Sequence, residues 1–348
     1  MKRILLVKIG AIGDTVDSVC WPELLTKEGF SIDFITNKGT EIIWGHNKFI
    51  KELFILKIPS LKSINSIKNF LKFIFYFKFK TINKKYDYIF IFNANLNLIR
   101  IISLLNFQRV YHFSHFNKNS KWTQKIRTDI QRTRQEEHLL KRAGLKIKSP
   151  KSLLLNLKES PVDFKINFKN RIIAIAVGGG NPISNANARS LTKEFLFNFI
   201  KAQNKSTSIF LLGKGNSDLE RVASLKDLIS KNKIDLEIEI IDLIDKLSLN
   251  QVFFLLKKAN IFIGGDTGLS KLAAASGVKS LILFGPTSPM LAAPIGKNVI
   301  SLDTSYSCKS CYAPQEGTYS TMYSCEDIGC MKWHDDKISL INNIINEK

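Results

Sequence analysis

The sequence predicts an α/β fold of two doubly wound domains facing across a cleft. Short β-branched apolar runs alternate with segments of helical period, the pattern of parallel βαβ units. The runs fall into two series separated by residues 146–170, where Pro150, Pro161 and scattered charge interrupt any periodicity. A chain of 348 residues is also long enough for two domains, each with its own core.

In the first series the strands are expected at Ile4 to Ile9, Ile32 to Thr36, Tyr88 to Phe92 and Arg109 to Tyr111. In the second, cleaner series they are expected at Ile172 to Val177, Ser208 to Leu212, Glu237 to Ile241, Ile261 to Gly264 and Ser280 to Phe284. The domain division that follows is residues 1–165, residues 166–333, and a final helix in 334–348. Ligands of such folds sit at the carboxyl ends of the strands.

Lys and Arg number 51 against 30 Asp and Glu, a formal charge of +21, while 45% hydrophobic residues exclude a disordered chain. That charge suits a polyanionic partner such as nucleic acid, an anionic membrane surface or a phosphate-bearing substrate. Equally, it fits a compositional habit, because Lys, Asn and Ile are used heavily throughout. No apolar run reaches transmembrane length. Met1-Lys2-Arg3 followed by Ile4 to Val7 is briefly signal-like, but Lys8 and Asp14 interrupt it, so it reads as the first strand of a cytoplasmic protein. Cys20 stands apart from Cys308, Cys311, Cys325 and Cys330, unlike a disulfide framework spread over a secreted fold.

The stretch Ser60 to Lys85 is dense in Phe and Lys, and its apolar residues cover more than one helix face. One reading is a fully packed helix. The other packs one face on the first sheet and lays a surplus aromatic face, flanked by lysines, on an anionic bilayer.

Two strand-to-helix turns carry the chemistry. Lys8-Ile9-Gly10-Ala11-Ile12-Gly13-Asp14 ends the first strand, with Asp14 opening the next helix. It lacks the third glycine of a dinucleotide fingerprint and the Gly-Lys-Ser/Thr of a P-loop, which argues against a simple dehydrogenase or NTPase. By spacing alone Asp14 is either a first-turn carboxylate favoured by the helix dipole or a group facing the cleft. The second turn is Gly264-Gly265-Asp266-Thr267-Gly268-Leu269-Ser270-Lys271, a buried strand passing through small residues into a helix whose first amides suit a phosphate. Gly178-Gly179-Gly180-Asn181 and Gly285-Pro286-Thr287 follow other strands at the same edge.

Together these residues resemble the glycosyltransferase family 9 enzymes, the ADP-heptose:lipopolysaccharide heptosyltransferases being the best known. The resemblance spans most of the chain. It rests on Val7-Lys8 through Gly13-Asp14, Tyr86-Asp87-Tyr88-Ile89, Asn95 through Arg100, and Glu137-His138 before Ala143-Gly144. Later come Arg189 ahead of Phe195, Leu211-Leu212-Gly213, Asp242-Leu243 before Lys246 through Leu249, the Asp266 segment, and Phe284-Gly285-Pro286-Thr287.

The resemblance implies a GT-B fold, in which the final helix commonly crosses back onto the first domain, and inverting transfer with no metal cofactor required for catalysis. It implies Asp14 as the general base, and a nucleotide-sugar donor held by Lys8, Arg189, Asp242, Asp266, Thr267, Gly268, Leu269 and Lys271. Lys271 stands where the family usually has histidine, and Leu191-Thr192 where it has a tryptophan-proline pair, which bears on the donor more than on the reaction. The pairs Cys308-x2-Cys311 and Cys325-x4-Cys330 have spacing for a structural zinc or iron site, and equally for reduced thiols. The expected function is transfer of a heptose from ADP-heptose to a lipopolysaccharide core or related glycan. It would take place in the cytoplasm, with a contact to the inner-membrane surface and no nucleic acid partner. Another nucleotide sugar, or a basic nucleic-acid or nucleotide-sugar binding protein without catalysis, is the alternative.

Overall fold

The computed structural model describes residues 1–56, 72, 74–80, 84–93, 98–99, 102, 109–114, 122–127, 129–158, 160–162, 171–179, 186–203, 206–232, 238–306 and 328–347. Cys308, Cys311, Cys325, Asn95, Leu96, Asn97, Arg100, Gly180, Asn181, Phe70 and Phe73 lie outside the described residues. The chain divides into two compact units, Met1–Pro150 and Lys151–Lys348.

The first unit is a six-stranded parallel sheet of β1 (Arg3–Val7), β2 (Ser31–Asn37), β3 (Ile50–Leu56), β4 (Tyr88–Ile91), β5 (Val110–Ser114) and β6 (Thr123–Lys125), in the order β3-β2-β1-β4-β5-β6. This is the order of a doubly wound nucleotide-binding sheet. Helices α1 (Ile12–Val16), α2 (Trp21–Lys27) and α3 (Arg132–Arg142) belong to the same unit. Leu5, Val7, Ile35, Ile89 and Ile91 form the core of one sheet face, closed by Phe54 and Phe77, whose rings meet edge to face at 4.8 Å.

The second sheet repeats the plan. Its strands are β7 (Arg171–Ala176), β8 (Thr207–Leu212), β9 (Glu239–Asp242), β10 (Ile261–Gly264), β11 (Lys279–Phe284) and β12 (Val299–Asp303), ordered β12-β11-β10-β7-β8-β9 and parallel throughout. Alternate residues of each strand serve opposite faces. Ile173 and Ile175 join Phe195 and Phe199 of α4 (Lys193–Lys201) and Val222 and Leu225 of α5 (Asn216–Lys231). Ile172, Ala174 and Ala176 join Phe253 and Leu256 of α6 (Leu249–Lys258) and Leu272 and Ala273 of α7 (Gly268–Ser276). A sheet buried on both faces explains why these strands read as continuous apolar runs.

Two expectations about boundaries are corrected. The division falls at Lys151 rather than at residue 166, because the chain is already committed to the second unit there. Leu153 N–H donates to Ile295 O (3.1 Å), Leu155 N–H to Ala275 O (2.9 Å), and Leu157 is in the second core. The final helix α8 (Ile338–Asn346), expected on the first domain, is part of the second unit. Its Ile341 and Ile345, one turn apart, enter the same core as Phe195 and Phe199, and its C-terminal carbonyls accept from two cations. Arg171 Nη2 reaches Ile345 O (3.0 Å) and Lys279 Nζ reaches Ile344 O (3.0 Å), a favourable placement of positive charge at a helix C-terminus.

The end of the first unit is fastened by a carboxylate. Glu137 Oε2 accepts from Ser149 N–H (2.8 Å) and Ser149 Oγ (2.6 Å), and its other oxygen meets Lys141. Burial pushes this carboxyl up, but the Lys141 and Ser149 bonds outweigh it and hold it at about 2, against an ordinary 4.5. A depressed carboxylate stabilises the fold above its unfolded value and loses that contribution as pH falls toward the folded one. Chemical denaturation between pH 6 and pH 2 tests this: Glu137→Gln should lower stability near neutrality and flatten the acid limb between about pH 4.5 and 2 relative to the wild type.

Candidate functional site

In each sheet the connections leave the two central strands, β1 and β4 or β7 and β10, in opposite directions. Ligands of open α/β sheets bind in the crevice that this divergence leaves at the carboxyl ends. Both turns singled out by their composition lie at these points.

In the first unit the backbone after β1 is held by side chains from neighbouring strand ends. Ile9 N–H donates to Asn93 Oδ1 (2.9 Å) and Gly10 N–H to Asn37 Oδ1 (2.8 Å). Asp14 follows in the first turn of α1, 41% exposed, with Oδ1 3.5 Å from Nε of Arg132 at the start of α3. The carboxylate is therefore oriented yet accessible, as a group that exchanges a proton with a substrate must be.

Lys8, expected on the donor, is instead built into the interior of the first unit. Its ammonium, 4% exposed, lies 2.8 Å from Glu136 Oε1 and donates to Phe92 O (3.3 Å). Ser18 Oγ and Trp21 Nε1 complete the acceptor set of Glu136 at 2.7 and 2.6 Å. A buried charge pair is tolerated when its remaining lone pairs are met in this way. The network ties α3 to β1 and α2, so the helix that begins with Arg132 is fixed relative to Asp14. Glu136 was adjacent to a quoted motif, but one acidic residue beside another in a helix carries no sign of which one is buried.

In the second unit the site is assembled around Asp266. Arg189 donates from Nη1 to Asp266 O (3.0 Å), lies 3.3 Å from Asp266 Oδ2, and directs Nη2 toward Gly179 O (3.5 Å). The segment carrying Arg189 crosses so close to β10 that a Cβ on Gly265 would stand 2.1 Å from Arg189 O, so only glycine fits there. Thr267 caps α7 by accepting from Ser270 N–H (3.2 Å), while Ser270 Oγ returns to Gly265 O. This leaves Gly268 and Leu269 supplying the leading amides of a nine-residue helix, with Lys271 buried one turn in. Arg189 and Asp266, 77 residues apart, are thus brought together, and Thr267, Gly268, Leu269 and Lys271 follow in the same turn and helix.

Asp242 is not among them. It ends the edge strand β9, with β8 between it and the crevice, and is occupied by Lys226 Nζ (2.7 Å) and Ile244 N–H (3.2 Å). Burial raises its carboxyl, but Lys226, the Ile244 amide and Lys246 together hold it below the usual range.

Two further residues brace this site. Asp218, in the first turn of α5, is buried between the ends of β7 and β8, where a Cβ on Gly178 would lie 1.6 Å from Oδ1. Arg221 Nη1 donates to Leu191 O (3.0 Å), and Leu191 N–H to Val177 O (3.2 Å), which seats the chain just after Arg189 on the end of β7. The departures at Leu191 and Thr192 are structural here: Leu191 is in the core, and Thr192 caps α4 through Phe195 N–H (2.9 Å).

Of the four clustered cysteines only Cys330 is among the described residues, buried beside Gly285. Among the described residues no group of three or more His, Cys, Asp or Glu could hold a metal ion.

Comparison with known proteins agrees with this geometry. Residues 198–318 match the family model of glycosyltransferase family 9 (heptosyltransferase). A lipopolysaccharide heptosyltransferase 1 from Pseudomonas aeruginosa is 38% identical over 66 residues, 19% of this chain and 19% of that relative, so the match spans about a fifth of its length. By fold, a family 9 glycosyltransferase from Veillonella parvula aligns with TM-score 0.68 at 18% identity, covering 86% of this chain and 85% of that one. The E. coli heptosyltransferase WaaC, solved with ADP-2-deoxy-2-fluoro heptose, aligns with TM-score 0.65 at 15% identity over 98% and 99% of the two chains. The resemblance to family 9 is borne out, and with it the two Rossmann-like sheets of a GT-B protein.

The Lys8 network generates a stability prediction. Lys8→Met removes the only cation hydrogen-bonded to Glu136 among the described residues and leaves a buried carboxylate with two neutral donors. Denaturant unfolding should show a loss of about 3–5 kcal/mol, and Lys8→Met combined with Glu136→Gln should recover part of it.

Proposed function

Taking the chain as a glycosyltransferase family 9 protein, we propose that it transfers a heptose from ADP-heptose, with inversion, to a lipopolysaccharide core or a related glycan. The observation that carries this reading is the Asp266-Thr267-Gly268 turn, closed by Arg189 and leading into α7, at the switch point of the second sheet. A diphosphate seated there would meet the amides of Gly268 and Leu269, the positive end of the helix, and the cations of Arg189 and Lys271.

Asp14 acts as the general base. It takes the proton from the acceptor hydroxyl as that oxygen attacks the anomeric carbon, while the bond to the diphosphate breaks on the opposite face and the configuration inverts. Negative charge grows on the leaving diphosphate during this step. Fixed donors aimed at it lower the barrier because they are oriented before the reaction begins. Arg189, Lys271 and the helix amides fill the place that a divalent cation takes in other transferases, so the reaction needs no added metal. We place the enzyme in the cytoplasm; among the described residues no helix is long and apolar enough to cross a membrane. The buried Lys271, in place of the histidine usual in the family, favours as second reading the same chemistry on another nucleotide sugar.

Incubation with ADP-heptose and lipopolysaccharide-core acceptors, read by mass analysis, should show a heptose added to the acceptor and should be insensitive to EDTA. If only a different nucleotide sugar reacts, the second reading replaces the first. Asp14→Asn should lower kcat by about 10²–10⁴-fold with donor affinity unchanged, whereas Arg189→Ala should weaken both donor binding and turnover. Near wild-type turnover in Asp14→Asn would remove the general-base role.

A further inference from the structure

From Leu53 to Tyr86 the chain contains no acidic residue and eight lysines. Within this stretch residues 74–80 are helical, as is residue 72. Phe77 points inward: it is fully buried and packs on Phe54. The opposite face is apolar as well. Phe75, Tyr76 and Phe79 are 72%, 53% and 76% exposed, and aromatic side chains of that size are costly to leave in water.

Their spacing shows what the face is suited to. Positions 72, 75, 76 and 79 follow the i, i+3, i+4, i+7 pattern, so Lys72 and the three aromatics form one stripe. At about 100° per residue, Lys78 falls on one side of that stripe and Lys80 on the other. Both are exposed, as is Lys72. An apolar ridge with cationic flanks has the shape and charge of a helix that lies in the interface of an anionic bilayer, rings among the upper acyl chains and ammonium groups among the phosphates. A second copy of this chain is a poorer occupant, because the lysine flanks of two such faces would repel each other.

We propose that Phe75, Tyr76 and Phe79, with Lys72, Lys78 and Lys80, form an in-plane anchor that holds the first unit on an anionic phospholipid surface. Phe77 is not part of this face: it belongs to the core, and its loss would report on folding rather than on lipid.

The test is sedimentation of the full chain with vesicles of phosphatidylcholine alone and of phosphatidylcholine with phosphatidylglycerol. The wild type should bind the anionic vesicles, weakly bind the neutral ones, and release with salt. The variant F75S/Y76S/F79S should bind anionic vesicles about tenfold or more weakly. The variant F75S/F79S, which spares the edge contact of Tyr76 with Phe54 (6.3 Å), should weaken binding in the same direction while keeping its melting temperature. The variant K72Q/K78Q/K80Q should lose most of the preference for anionic over neutral lipid. In the otherwise unchanged chain, Phe75→Trp should give an emission blue shift on adding anionic vesicles, which reads insertion even if the triple variant folds poorly. Anionic vesicles that fail to bind the wild type, or that bind the aromatic variant equally well, would overturn the proposal. So would a change in oligomeric state of F75S/Y76S/F79S by light scattering without lipid, which would assign the face to a second copy. None of these readouts depends on a sugar donor, so failure of the transferase reading would leave the anchor standing.

Discussion

Everything that looks functional in this chain depends on one constraint of parallel sheets: a strand order of 3-2-1-4-5-6 forces the chain to leave its two central strands in opposite directions. No crossover covers the carboxyl ends there, and the backbone amides at those ends need partners. In the first sheet Asn93 and Asn37 supply them and leave Asp14 accessible. In the second the Arg189 guanidinium meets the carbonyls instead, donating to Asp266 O and reaching toward Gly179 O. The same topology, used twice, thus produces one crevice with an oriented carboxylate and one whose helix start presents its leading amides.

Positive charge in this protein is divided by how much water each cation keeps. Lys8 has lost nearly all of it and is compensated by the Glu136 carboxylate and the Phe92 carbonyl, so it stabilises the scaffold of the first unit. Arg189 is an intermediate: its planar fork is committed to the Asp266 carbonyl and carboxylate, which fixes its orientation. Lys72, Lys78 and Lys80 retain their hydration and act at longer range. The net charge of +21 is therefore spread over cations in physically different settings, from fully buried to fully hydrated.

The sequence was readable where burial was complete. The strands it located lie mostly inside the sheets, where both faces are covered and the residues become uniformly apolar. The strands it passed over, β3, β6 and β12, are all at sheet edges, where one side of the ladder is open and residues such as Lys51, Glu52 and Lys125 interrupt the pattern. Likewise the Asp266 turn was legible because its small residues are dictated by close backbone approach. Glu136, Asp218 and Arg221 were not, because what distinguishes them is desolvation by elements far away in sequence. The final helix was misplaced for the same reason: Ile341 and Ile345 declare an apolar stripe but not which sheet it covers.

The two units differ in how far close backbone approach dictates residue type. The stretch that matches the family model, residues 198–318, contains β8 to β12 and the Asp266 turn, where a Cβ on Gly265 would stand 2.1 Å from Arg189 O. Backbone-dictated sites leave little freedom in residue type, so they remain recognisable as sequence. Side chains on exposed elements are under no such constraint, and their identities can change while the sheet beneath stays the same. That is why the first unit is similar to family 9 structures in fold while carrying its distinguishing feature, the aromatic stripe of Phe75, Tyr76 and Phe79, on the outside of a helix whose inward residue, Phe77, does only the ordinary work of a core.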